Sequence, residues 1–450
     1  MSAKSNASAA PKKSSPAPTQ IWIALPFFLF GFLHLAGALV WLICEPSLLT
    51  RAFYSPPVIA FSHVVGLGFL MSLVAGSSYQ LLPVAFENPL FSRTLAKIHL
   101  GLHCVGVPVM VFGFLKWNIP AIAAGGTAVL VGMILFVANV AVTALRPFRR
   151  TPTGAGVLVS LASLASALSV AGFILLTKLN IVVPRDPFVL LGAHTYAMIF
   201  GFFLPFLAAV SYVLLPMFLL IPLPSTRRAY GSVWYTAGAL VLFLVGQLSK
   251  PFLLPYAALA LAIGLGLYGA ENLAVLRKSP RRLDGALRLY AWNLAFVPPA
   301  LTLVIIRALQ VAGHLSTSSI DLDTFLFVIA VFGVLACAIL GMGSKIVPFL
   351  VWQNTYAPLL GRASVPKLAE LGHARILNPI SWTIPAAAFA LSLGTALRQE
   401  TLVAVGAMLF LGSLGAFLFN LVCTLKHLWK PTAKPFAARP VLATPVPLKP

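Results

Sequence analysis

The sequence predicts an all-α, polytopic membrane protein of about twelve transmembrane helices, built as three tandem repeats of four helices. Three observations support this prediction: an apolar composition, twelve long apolar runs, and a pattern that recurs twice at nearly equal intervals along the chain. Of the 450 residues, 60% are hydrophobic and only 9% are charged, and the mean hydropathy is +0.96. Because soluble proteins carry roughly 25% charged residues, most of this surface belongs in lipid.

Twelve apolar runs are long enough to cross a bilayer, since a helix needs roughly 20 apolar residues to do so. Residues 1–20 are polar and rich in Ser, Ala, Pro and Lys, which predicts a disordered cytoplasmic tail, and residues 429–450 form a Pro-rich tail. The predicted spans, numbered 1 to 12 in chain order, are 21–44, 58–83, 95–116, 120–144, 154–177, 188–220, 230–249, 252–275, 286–312, 322–351, 376–398 and 401–424.

Basic residues are concentrated on one side of these spans. With the N-terminus in the cytoplasm, six of the 31 Lys and Arg residues lie outside and two lie within spans, which leaves 23 on the cytoplasmic side. Positive residues favour the cytoplasmic side, so we expect a bacterial inner-membrane protein with both termini cytoplasmic. The six outer residues are Arg51, Lys116, Lys178, Arg185, Lys250 and Arg398, and the two within spans are Arg307 and Lys345.

The net charge of +22 does not indicate a nucleic-acid binder. Such proteins cluster their basic residues on one soluble face, whereas here these residues lie in short gaps between apolar runs. The expected partner of this charge is membrane lipid, whose cytoplasmic leaflet is anionic.

An internal repeat divides the chain into three. The segments SSYQLLPV, VSYVLLPM and GSKIVPFL each contain a marked proline, and the two intervals between these prolines differ by a single position. An asparagine near the end of a span follows the first two prolines at identical distances and the third at a greater distance, because residues 352–375 contain an insertion. Two independent markers at matched spacing predict repeats over 21–150, 151–283 and 284–428. The marker residues are Pro83, Pro216, Pro348, Asn139, Asn272 and Asn420.

This layout resembles subunit I of the heme-copper oxidases and the related NnrS-like membrane proteins. The resemblance rests on FSHVVGLGFLMSLVAGSSYQLLPV, LLGAHTYAMIFGFFLPFLAAVSYVLLPMF and GSKIVPFLVW, and it covers most of residues 20–430. It implies that spans 2, 6 and 10 face the centre, and the charge bias predicts that they run from the outer face to the cytoplasm. It also implies a role in respiratory or nitrogen-oxide metabolism, with other respiratory-chain subunits as candidate partners.

The resemblance assigns candidate cofactor ligands to two histidines. His63, in span 2, matches the position of the family's low-spin heme ligand, and His194, in span 6, matches a copper ligand. Span 10 contains no histidine, span 7 lacks the family's two copper histidines, and the family's HxH reads His194-Thr195-Tyr196 here. We therefore expect a heme or copper ion at most, and no active terminal oxidase, because oxygen reduction needs the full ligand set.

Three further histidines lie within spans. His34 is in the middle of span 1, where its depth alone makes it a weaker candidate cofactor ligand. His99 and His103 share a face of span 3 at an i, i+4 spacing that can hold a metal ion. The alternative for each is structural: interhelical hydrogen bonds for His34, His63 and His194, and an interfacial pair beside lipid headgroups for His99 and His103.

The remaining polar residues predict ion pairs and packing features. We expect Glu271 to pair with Arg277, Arg307 to pair with Asp321 or Asp323, and Lys345 to extend towards the interface. Pro205 predicts a kink or local opening of span 6. Small residues in span 2 predict close helix approach, namely Gly66, Gly68 and Gly76.

Three functions from different classes follow from these features. The leading hypothesis is a non-oxidase relative of the heme-copper fold that binds one heme or metal ion through His63 and His194. The second is a carrier or channel for a small molecule, because twelve spans with repeats suit transporters. The third is an assembly or structural subunit without a site of its own.

Overall fold

The twelve predicted spans are confirmed as helices that are long and apolar enough to cross a membrane. The computed structural model describes residues 21–146, 150–182, 186–280, 282–316 and 321–435, so the tail 1–20 and most of the tail 429–450 lie outside the described residues. The predicted span ends differ from the observed ones by four residues or fewer. In chain order the spans are Ile21–Cys44, Pro56–Ala85, Arg93–Lys116, Ile119–Leu145, Pro152–Lys178, Pro187–Leu219, Thr226–Leu248, Pro251–Lys278, Gly285–Val311, Leu322–Thr355, Ala374–Leu397 and Glu400–Leu428.

Two of the tight turns between paired spans close through a left-handed residue. Trp117 (φ 49°) ends span 3 and Arg398 (φ 54°) ends span 11. Asn118 begins span 4 immediately, because its side chain accepts a hydrogen bond from the amide of Ala121 at 2.9 Å. Spans 3 and 4, 7 and 8, and 11 and 12 therefore pack as antiparallel hairpins.

Short elements lie between the spans or form the first or last turn of a span. Single 3₁₀ turns occupy Pro46–Leu49, Pro251–Leu253, Ala357–Leu359, Leu368–Glu370 and Lys426–Leu428. The two-residue strands Ala363–Ser364 and Lys434–Pro435 pair in antiparallel orientation. They join the insertion after span 10 to the segment that follows span 12.

Spans 2, 6 and 10 are the longest and the most buried of the twelve. They contain 30, 33 and 34 residues, and 61%, 78% and 83% of their most apolar windows are buried, against at most 56% for any other span. Together with spans 1 and 9 they line an apolar cavity of about 90 Å³, with Leu73, Phe206 and Leu335 among its walls. The bundle therefore has three inner helices within a layer of outer ones.

Each inner helix contains one π-helical segment. These segments are Val64–Met71, Ala197–Phe203 and Ile329–Leu335. The intervals between their first residues equal the intervals between the marked prolines. Because π turns in α-helices are rare and often lie at functional sites, three of them at matched positions form a distinctive feature of this bundle.

The local opening predicted at Pro205 is observed, since the π segment of span 6 ends two residues before this proline. Proline is not the general cause, because the matched positions in the other two spans are Ser72 and Cys337. The side chains of both residues donate to the carbonyl five residues earlier: Ser72 to Leu67 at 3.2 Å and Cys337 to Phe332 at 3.7 Å. All three residue types thus accommodate the wider turn.

Glycine permits close helix packing at one matched position in each π segment. A Cβ on Gly68 would lie 2.6 Å from Cγ of His34, one on Gly333 would lie 2.6 Å from Cγ of Phe296, and one on Gly201 would lie 3.1 Å from the Leu240 side chain. The expectation for Gly76 is also met, because an added Cβ there would lie 2.8 Å from the Phe28 side chain. The expectation for Gly66 was wrong, because an added Cβ there would have nothing within 4 Å. Gly66 is on a different face of the helix from Gly68.

Buried polar side chains tie the ends of neighbouring spans together. Asn139 in span 4 accepts from the amide of Ser92 at 3.0 Å, and Asn420 in span 12 accepts from that of His373 at 2.8 Å. In span 8 this role falls to Glu271, which accepts from the amide of Ser225 at 2.6 Å. In each case the donating amide lies just before the first residue of the preceding span (3, 7 or 11), whose first N–H groups lack partners within the helix.

Candidate functional site

His63 and His194 lie together, although the spans that carry them are far apart in the sequence. Their ring centres are 6.4 Å apart and the ring planes differ by 14°. Both residues are half-buried, and each lies close before the π segment of its span. Packing of spans 2 and 6 therefore brings the two candidate ligands to one place.

Each of these imidazoles is held through its Nδ1 atom. His63 Nδ1 lies 2.7 Å from the carbonyl oxygen of Ile59, and His194 Nδ1 lies 3.0 Å from that of Ala167 in span 5. A carbonyl oxygen only accepts, so each Nδ1 carries the proton and each Nε2 keeps its lone pair. Histidines that bind metals are usually oriented in this way, with the other ring N–H donated to a carbonyl or carboxylate.

The separation of the two rings suits a shared metal ion. Bonds from a metal to an imidazole nitrogen are about 2.0–2.1 Å long. If two imidazoles bind one ion from opposite sides, the centres of their rings are therefore about 6 to 6.5 Å apart. Among the described residues, no group of three or more His, Cys, Asp and Glu side chains is placed to hold a metal ion. The pair therefore offers two protein ligands.

A heme fits these residues less well than an ion. The Phe114 ring stacks on His63 with the centres 4.7 Å apart and so covers one face of that imidazole. His63 and His194 line neither the apolar cavity between the inner helices nor a larger cavity at the start of spans 6 and 10. A macrocycle would need open space beside both rings, whereas a single ion would not.

His34 is not part of this pair. Its Nδ1 atom donates to the carbonyl oxygen of Phe30 at 2.8 Å, and its ring packs on that of Phe30 with the centres 4.0 Å apart. The other side of the imidazole lies against Gly68. His34 thus fills the contact between spans 1 and 2, but its hydrogen bond lies within span 1 and not between helices as the structural alternative predicted.

His99 and His103 are buried among spans 1, 2 and 3, so the expectation of an interfacial pair was wrong. Both are 0% exposed, because this face of span 3 packs on the inner helix and not on lipid headgroups. The Tyr79 hydroxyl is hydrogen-bonded to Nδ1 of His99 at 2.8 Å, and Nε2 of His103 lies 3.0 Å from the Ser72 hydroxyl. The two rings are 5.5 Å apart, and the interaction is a hydrogen-bonded contact between helices.

A larger cavity, of about 490 Å³, lies where spans 6 and 10 begin. We call it the outer cavity after the side on which the orientation predicted from the sequence would place it. Its walls come from spans 6 to 10 and from the loop before span 2, and most of them are apolar. Polar side chains are confined to a few positions, which is typical of small-molecule sites. The polar residues in its walls include Thr195, Tyr196, Gln247, Arg307, Asp321 and Asp323.

Sequence reasoning assigned no role to Tyr196 or Gln247 at this cavity. Tyr196 is 7% exposed, and its hydroxyl is buried without a hydrogen-bond partner among the described residues. Its ring stacks on Phe243 of span 7 with the centres 3.4 Å apart and the planes 6° apart. The sequence shows that Tyr196 lies two residues after His194, but it does not show which side of span 6 lines the cavity.

The predicted ion pairs give a mixed result. The pair of Arg307 with Asp323 is confirmed and is bidentate, at 2.9 and 3.1 Å. The pair of Glu271 with Arg277 was wrong, because Glu271 accepts instead from Nε of Arg228 at 2.7 Å. The correct partner lies on span 7, which the hairpin turn brings beside span 8.

Lys345 forms an ion pair in the last third of span 10, away from the outer cavity. Its ammonium group contacts the carboxylate of Asp284. Asp284 also begins span 9, because its other oxygen accepts from the amide of Leu287 at 3.0 Å. The pair therefore joins spans 9 and 10 at the end where Lys345 was expected to reach the interface.

No protein-family model matches this sequence, and no curated protein matches it significantly.

Proposed function

We propose that this chain is a copper-binding membrane protein with a heme-copper-oxidase-like arrangement of helices, which acts in respiratory or nitrogen-oxide metabolism without being a terminal oxidase. The observation that carries the proposal is the pair of His63 and His194, with rings 6.4 Å apart and both Nδ1 atoms bound to backbone carbonyls. Copper(I) accepts two ligands in a line, whereas protein-bound zinc almost always takes four. Two imidazoles alone therefore favour copper.

Three recurring features support the proposed architecture of three related units, each with four spans. The π segments recur at the same intervals as the marked prolines. The hydroxyl of Tyr79 bonds His99, and at the equivalent positions of the second unit the hydroxyl of Tyr212 bonds Ser232 at 2.6 Å. Spans 2, 6 and 10 are also the inner helices, as the resemblance implies.

The chain's own residues would hold and orient the ion. His63 and His194 would bind it through Nε2, and the carbonyls of Ile59 and Ala167 would fix both rings in the required tautomer. Phe114 on His63 would limit the access of water and further ligands to that side. A copper ion with open coordination positions can take up a small ligand or exchange one electron.

Metal analysis of the purified protein tests this proposal. Protein produced with added copper should contain close to stoichiometric copper, and His63→Ala and His194→Ala should each reduce it to background, because one imidazole cannot hold the ion alone. His373→Ala is the matched control, since His373 is an exposed histidine at the start of span 11. The proposal fails if monodisperse protein loaded with copper(I) binds no more metal than the two variants do.

A carrier for a small molecule is the second candidate function. The outer cavity of about 490 Å³ favours it, because this volume suits a small organic molecule. Uptake into liposomes separates the two candidates. Uptake of a small organic molecule that persists in His63→Ala would support a carrier. No uptake by the copper-loaded protein would contradict one.

A further inference from the structure

We propose that the outer cavity binds an uncharged amphipathic ring compound, with a hydroxyl or carbonyl oxygen of the compound bonded to the polar side chains of spans 6 and 7. This site is separate from His63 and His194, neither of which lines the cavity.

The charged groups at the cavity are already paired with one another or with the backbone. Arg307 holds both oxygens of Asp323. The carboxylate of Asp321 accepts from the amides of Phe53 at 3.0 Å and of Thr324 at 3.1 Å. An anionic ligand would therefore find no free positive group. A cationic ligand would find at Asp321 a carboxylate whose two oxygens each already accept two hydrogen bonds, so either charge would be costly in an apolar cavity.

The polar groups that remain for a ligand are neutral. The Tyr196 hydroxyl is buried and has no hydrogen-bond partner among the described residues. Thr195, its neighbour, and Gln247, one turn beyond Phe243 on span 7, line the same cavity. Since a buried hydroxyl without a partner destabilises the structure, a ligand oxygen at this wall would be bound favourably.

The remaining walls suit a flat ring. Tyr196 and Phe243 stack face to face, and Tyr54 and Phe188 form an edge-to-face pair 4.8 Å apart. Phe200 adds a further aromatic wall. Aromatic side chains favour a planar, apolar partner through stacking and edge contacts, so the ring of the ligand should lie here and its oxygen should face Thr195, Tyr196 and Gln247.

Binding of three related probes to the protein in lipid nanodiscs tests this site, with empty nanodiscs subtracted. The probes are 2-naphthol, naphthalene, which lacks the oxygen, and 2-naphthoate, which adds a negative charge. We expect 2-naphthol to bind about tenfold more tightly than either of the others, and Tyr196→Phe to weaken 2-naphthol binding about fivefold. Tyr235→Phe is the matched control, because Tyr235 on span 7 is 46% exposed on the outside of the bundle.

A second variant tests the position of the ligand. Ala258→Phe fills the cavity from span 8 and should abolish 2-naphthol binding. If this variant fails to fold, Tyr196→Phe still decides, because it keeps the stacked ring. Saturable binding no greater than in empty nanodiscs, tightest binding of 2-naphthoate, or equal losses in Tyr196→Phe and Tyr235→Phe would each overturn the proposal. Copper content is measured on the same samples, so failure of this site is distinguishable from failure of the metal site.

Discussion

At the scale of single residues, buried polar groups illustrate why side-chain pairing is hard to predict. Glu271 is 0% exposed and accepts from both the Ser225 amide and the Arg228 guanidinium. Sequence reasoning paired it with Arg277, which is close along the helix but exposed. The actual partner lies on the preceding span, because the direction in which Glu271 points depends on how spans 7 and 8 pack.

This corrected pairing predicts which substitutions destabilise the protein. Glu271→Ala should lower the free energy of unfolding by about 2–3 kcal/mol, because it leaves a buried amide and a partly buried guanidinium without their acceptor. Arg277→Ala should change it by less than about 0.5 kcal/mol. Unfolding in mixed detergent micelles measures both, and equal losses for the two variants would contradict the observed pair.

At the scale of helices, the lengths and bounds of the spans were predictable, but their internal irregularities were not. Apolar length along the chain is what a span requires, so twelve segments were located to within four residues. The π segments share no characteristic sequence: the residues eight positions after their first residues are Ser72, Pro205 and Cys337. Only backbone geometry shows that these different residues accommodate one shared feature.

The π segment of span 2 allows a matched test of helix packing. Gly68→Ala should destabilise the protein by about 1–3 kcal/mol, because the added Cβ would overlap the His34 imidazole. Gly66→Ala, two residues away in the same segment, should be neutral within about 0.5 kcal/mol, since nothing lies within 4 Å. In a His34→Gly background the cost of Gly68→Ala should largely disappear, because the His34 Cβ, which would lie 2.7 Å from the added one, is then absent together with the ring. A similar cost in both backgrounds would show that backbone strain, and not His34, is responsible.

At the scale of the whole molecule, the charge bias predicts the orientation of the bundle. In a variant without the four native cysteines, Lys178→Cys and Lys250→Cys should react with a membrane-impermeant maleimide in intact spheroplasts. Arg227→Cys and Arg362→Cys should react only after permeabilisation. All four positions are exposed in the structure, so the result depends on their side of the membrane. The opposite pattern would invert the topology and place the outer cavity towards the cytoplasm.

The sequence by itself determined the membrane class, the twelve spans and the spacing of the recurring segments. These properties depend on local sequence, because a helix that crosses lipid must form its backbone hydrogen bonds within its own apolar run. The tertiary structure decided that His63 lies beside His194, that His99 and His103 are buried, that Glu271 pairs with Arg228 and that Tyr196 lines a cavity. Each of these depends on the rotation of one helix against another, and nearly uniformly apolar helices leave little periodic pattern from which that rotation can be read.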